Sequence, residues 1–129
     1  MAVMATGNVL TRADLDALPD DGLRHELIDG ALVMTPAPGL PHQTFSGGLY
    51  RVLWSASTGT DLQVVYAPFD VILGPHVVEP DIVVAPRTAF TERDLPSAPA
   101  LAVEIRSAST GFRCSGSRVR WPRTRSARP

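Results

Sequence analysis

Two short β-branched runs each carry a carboxylate where a strand core should be apolar, and nothing else in this sequence constrains the fold as tightly. Pro80-Asp81-Ile82-Val83-Val84 carries Asp81 near its start, and Leu101-Ala102-Val103-Glu104-Ile105 is interrupted by Glu104. Each run is short, rich in branched side chains and bounded by proline or serine, so each is read as a buried strand. A carboxylate in such a strand costs free energy unless it is paired, protonated or bound to a cation. Two of them on neighbouring strands point to a cation site. Over Leu101–Arg106, alternation assigns Leu101, Val103 and Ile105 to one face and Ala102, Glu104 and Arg106 to the other.

The chain has 129 residues, one domain's worth, and 44% of them are hydrophobic, enough for a core. No stretch approaches the ~18 apolar residues of a membrane span, and Met1–Leu10 lacks the basic and apolar regions of a secretory signal. The single cysteine, Cys114, has no internal disulfide partner. A reducing, cytoplasmic location is the expectation. Charge is distributed unevenly. Residues 1–110 hold 13 acids against six arginines, a net of −7, and residues 111–129 hold six arginines and no acid, a net of +6. Lysine is absent, so all 12 basic residues are arginine.

The pattern predicts an α+β or α/β fold. Thr11–Leu18 reads as a short helix capped by Thr11 with Asp14 three residues on and stopped by Pro19. His25–Met34 reads as a hairpin around Asp29-Gly30. Leu40–Ser57 is a long helix, with Phe45, Leu49, Val52 and Leu53 on one face. Strands follow at Leu62–Ala67, Phe69–Leu73 and Val78–Ala85, the last broken or bulged by Pro80. A loop with one helical turn spans Arg87–Pro99, and the strand Leu101–Arg106 closes the pattern. Past Thr110 the periodicity disappears, and Arg, Ser, Gly and Pro dominate.

Several motifs, in order, carry a resemblance. They are His25-Glu26-Leu27-Ile28-Asp29-Gly30, Pro41-His42-Gln43, Ala67-Pro68-Phe69-Asp70-Val71, Glu79-Pro80-Asp81-Ile82-Val83-Val84, Leu101-Ala102-Val103-Glu104-Ile105 and Ser107-Ala108-Ser109-Thr110. Over residues 11–110 the chain resembles the Uma-two family of restriction-endonuclease-like proteins, within the PD-(D/E)XK nuclease group. The resemblance implies a mixed β-sheet flanked by helices and a Mg²⁺- or Mn²⁺-dependent endonuclease acting on DNA, with a homodimer as a reasonable assembly. It assigns Asp81, Glu104 and the backbone carbonyl of Ile105 to the metal and gives Glu26 a place near the same site. Two carboxylates and a carbonyl suit a hard cation completed by waters.

Each residue also has a plainer reading. Asp81 would cap a turn at a strand start. Glu104 would pair with Arg106 or another arginine, and Glu26 would be an exposed hairpin acid. His42 would either orient a phosphate or cap its helix. Asp70 is expected at solvent or in a turn, and Asp29 in the turn itself.

The chain departs from the family pattern in two places. Ala31 stands where the family has a second acid after the Asp-Gly turn. The family also continues past Ser-x-Ser-Thr into a lysine-bearing helix and a closing strand, and this chain has no lysine. Arg106 falls where the general Glu-x-Lys motif puts its lysine. It can stabilise negative charge but cannot shuttle a proton, because its pKa stays above ~12. The expectation is a domain incomplete at its C-terminus, with weak or no cleavage, and a 111–129 tail produced by a frameshift. Two rival expectations are a non-catalytic DNA-binding remnant, whose tail contacts phosphates, and a non-functional fragment.

Overall fold

The computed structural model describes residues 2–4, as backbone, and 9–106; residues 107–129, including the whole arginine-rich segment and Cys114, lie outside the described residues. The strands are β1 (Ala2–Met4), β2 (Arg24–Ile28), β3 (Ala31–Thr35), β4 (Leu62–Tyr66), β5 (Asp70–Leu73), β6 (His76–Val78), β7 (Ile82–Pro86), β8 (Asp94–Leu95) and β9 (Leu101–Val103). The helices are α1 (Arg12–Asp16) and α2 (Leu40–Ser57), and one 3₁₀ turn covers Arg87–Ala89. Two sheets form, a six-stranded one in the order β1-β3-β2-β6-β5-β8 and a three-stranded one in the order β4-β7-β9.

Local chemistry explains most of these boundaries. Thr11 and Asp14 form the expected capping box on α1, whose C-cap is Ala17. Asp29 and Gly30 both have positive φ, 50° and 74°, as the tight turn between β2 and β3 requires. The long helix runs over the expected residues, but its buried stripe is different. Leu49, Tyr50 and Leu53 pack on the core, with His42 and Ser57 buried at the two ends. Phe45 and Val52 face outward at 59% and 65% exposure. The stripe has the spacing of a helix face, but its ends are polar, so hydrophobicity alone misplaces it.

The segment expected as one strand over Val78–Ala85 is two strands in two sheets. β6 pairs with β5 and β2, whereas β7 pairs with β4 and β9. Proline cannot donate to a ladder, and Glu79-Pro80-Asp81 carries the chain from one sheet to the other. The last strand is also shorter than expected: β9 stops at Val103, so Glu104, Ile105 and Arg106 lie beyond it. The strands β1 and β8 were not foreseen, because two or three residues leave no periodicity to read.

β7 joins the two halves of the core. Its Val83 and Ala85 pack with Val71 and Leu95 of the six-stranded sheet. Its Ile82 and Val84 pack with Val64 and Val103 and against Leu49, Tyr50 and Leu53 of α2. Successive side chains point to opposite faces, so a strand covered on both sides has to be apolar throughout, and Ile82 to Ala85 are all buried.

Candidate active site

Asp81 sits where the two sheets meet, one residue before β7, and is 4% exposed. β7 and β9 pair antiparallel with Ile82 opposite Val103. Continuing that register by one residue brings Asp81 opposite Glu104. The backbone holds Asp81 in place through the Ala67 amide, which donates to the Asp81 carbonyl at 3.1 Å.

Three groups surround the Asp81 carboxylate. The Ile105 amide donates to Oδ2 at 2.7 Å. His42 Nε2 lies 3.2 Å from the same oxygen, with both side chains buried. Arg24 Nη1 donates to Oδ1 at 3.4 Å and to the Glu79 carbonyl at 2.6 Å. Glu26, two residues along β2 from Arg24, accepts the Glu79 amide at 2.8 Å. Alternation puts Arg24 and Glu26 on one face of β2. That face grips the crossing segment at both the amide and the carbonyl of Glu79.

Carboxylates crowd this junction. Glu79 is pushed up to about 7 by burial first, then by the charge of Asp70 and Glu26, while Arg24 pulls it down. Glu104 is also raised to about 7, by the protein packed around it first and by Asp81 second. Glu104 nevertheless keeps an exposed flank, so water moderates its shift more than that of Glu79. Asp70 is raised by burial, against the pull of Arg12.

The expected site residues separate into those gathered here and those that are not. Asp81, Glu104, Glu26 and the Ile105 backbone come together. Arg106 is exposed, and among the described residues no ion pair joins it to Glu104. His42 does not cap its helix, whose N-cap is Gly39; it lies against Asp81 instead. Asp70 is not at solvent, because Arg12 Nη2 binds it at 2.9 Å. Asp29 is the turn residue expected. Arg24 was missed, because its partner Asp81 lies 57 residues away and alternation with Glu26 does not by itself point to it. Glu79 was read only as part of a motif. Among the described residues, no three His, Cys, Asp or Glu side chains converge into a complete metal cage.

A cleft of about 760 Å³ opens above Asp81, between the start of α2, the Pro36-Ala37-Pro38 loop and the end of β4. His42, Arg24, Glu79 and Asp81 form part of its lining.

Asp81 thus stands at the sheet junction and lines the cleft, and the β7–β9 register brings Glu104 opposite it. Residues 12–120 match the family described as "Uma2: Putative restriction endonuclease". The chain belongs to that family. The fold is similar to that of a "putative nuclease belonging to DUF820" from Anabaena variabilis, with a TM-score of 0.64, 20% identity and 78% of this chain covered. The chain spans 60% of that protein's length. No curated protein matches the sequence. No helix among the described residues is long and apolar enough to cross a membrane.

Proposed function

We propose that the Asp81 cluster is the centre of a divalent-metal-dependent endonuclease domain that hydrolyses DNA phosphodiester bonds. The observation that carries this reading is buried Asp81 at the sheet junction, lining an open cleft, with the β7–β9 register bringing Glu104 opposite it. The donor set fits Mg²⁺ or Mn²⁺. The carboxylates of Asp81 and Glu104 and the carbonyl of Ile105 are all hard oxygen donors; the Glu104 carboxyl is raised by burial first and by the Asp81 charge second, and a cation would relieve the second. Such a cation supplies a nucleophilic water at neutral pH and neutralises charge building on the phosphate.

The remaining residues position this set. Arg24 and the Ile105 amide fix the Asp81 carboxylate, and Glu26 fixes the Glu79 backbone that leads into it. Arg106 stands in the motif's lysine position and offers a permanent positive charge, with no proton to shuttle. Loss of that proton donor is the reason to expect slow cleavage.

The test is relaxation of supercoiled plasmid with Mg²⁺, compared with EDTA. Cleavage should be weak, metal-dependent and lost in Asp81→Asn. Mg²⁺ should also raise the unfolding temperature of the unsubstituted protein and leave Asp81→Asn unchanged, because a cation that binds only the folded state stabilises it. Equal plasmid relaxation by both proteins, or no Mg²⁺-dependent temperature shift, would sink the reading. One observation favours a second reading, a non-catalytic DNA-binding domain: both Asp81 oxygens already face N–H groups. Salt-sensitive DNA binding that needs no metal and leads to no cleavage is the result that would select it.

A further inference from the structure

The cleft above Asp81 has an aromatic wall that the proposed chemistry leaves unused. Tyr66 ends β4 and pairs with Ile82, the neighbour of Asp81. The following amide, Ala67 N–H, donates to the Asp81 carbonyl at 3.1 Å. The backbone under the tyrosine is thus fixed relative to the carboxylate. Tyr66 as a whole is 60% exposed. Tyr50 of α2 meets its ring edge-on, with centroids 5.0 Å apart and planes at 86°, so the ring is steadied without being covered. Both tyrosines line the cleft together with His42 and Asp81.

The charges on the cleft lining point the same way. Its basic groups are Arg24 and His42, and both lie against Asp81. Asp20, Glu79 and Asp81 complete the ionisable lining. Tracking a phosphate backbone, of a duplex or of a single strand, calls for free cationic side chains, and among the described residues this lining has none. The exposed aromatic face, which only an unpaired base can reach, is therefore what the cleft offers a nucleic acid. Stacking of a base on an aromatic ring needs no cation, because every base has a π-face.

We propose that Tyr66 is a stacking platform for an unpaired nucleobase, and that the cleft takes a single nucleic-acid strand rather than an intact duplex. The proposal deepens the nuclease reading and rests on it for the class of ligand. In its absence the plain reading of Tyr66 is a partner for Tyr50, which would require no ligand at all.

The experiment measures binding by the full chain in EDTA, using fluorescence anisotropy of a short labelled oligonucleotide. Single-stranded DNA and RNA, the duplex, and a strand with abasic sites are compared. The wild type should bind the base-bearing strands more tightly than the abasic one. Tyr66→Leu should weaken base-bearing strands roughly 5- to 100-fold, the loss of one base stack, without changing the salt slope. Tyr66→Phe and Tyr66→Trp should retain binding, and duplex binding should be indifferent to all three substitutions. Equal affinity of the wild type for base-bearing and abasic strands overturns the proposal, with no variant needed. So does loss of binding in Tyr66→Phe equal to that in Tyr66→Leu, which would assign the effect to the hydroxyl or the fold. Because no metal is present, failure of cleavage in the plasmid assay sinks the nuclease reading and leaves base-dependent binding to stand or fall separately.

Discussion

At the residue scale, burying Asp81 at 4% exposure places a carboxylate where desolvation disfavours its charge. The Ile105 amide, Arg24 and His42 offset that cost. Around it, Glu79 and Glu104 titrate near 7 in the folded protein, against an ordinary 4.5. A folded pKa above the unfolded one means that the folded protein holds the proton more tightly. The stabilising contribution is therefore complete below the unfolded value and is lost as pH rises through 7. Glu79→Gln should remove part of that dependence, so its unfolding midpoint should fall less than that of the wild type between about pH 5 and pH 7. Parallel midpoint curves for the two proteins would show that Glu79 is not the group responsible. Asp81 and Glu104 were legible in the sequence because a charge in a β-branched run is conspicuous. Arg24 was not, since a lone arginine before a hairpin has many plain uses and its partner lies 57 residues away.

At the element scale, β7 is held from both sides, by β5 and β8 through Val83 and Ala85 and by α2 through Ile82 and Val84. Truncation there should cost far more than on the outer face of α2. Ile82→Ala should lose about 2–5 kcal/mol of stability. Val52→Ala, at an exposed helical site, should stay within about 0.5 kcal/mol. Urea denaturation of both variants checks this, and comparable losses would mean that Val52 is covered in solution. The hairpin, the capped α1 and the span of α2 were readable because their signals are local. The split of Val78–Ala85 was not, since Pro80 marks a break but does not say that the chain changes sheets there.

At the scale of the whole molecule, large apolar side chains stand exposed among the described residues. Phe45, Val52 and Trp54 are each more than half exposed on α2, and Leu101 is 42% exposed on β9, the edge strand of its sheet among the described residues. Phe45 and Val52 lie on one side of α2 and Trp54 on the opposite side. Exposed apolar side chains favour self-association, and we predict that a homodimer, if formed, uses the Phe45 and Val52 side of α2. Light scattering should show a mass that rises with protein concentration, and Val52→Glu should reduce it. A monomer at every concentration in both proteins would remove the assignment. The sequence by itself determined the capped α1, the β2–β3 hairpin, the span of α2, the two acids worth watching and the family, because capping, turn chemistry and strand composition act over a few residues. Only the tertiary structure decided that Arg24, His42 and Ile105 converge on Asp81, and that Tyr66 stands over the same cleft. Those contacts join segments far apart in the chain, and their geometry depends on where β7 crosses between the sheets.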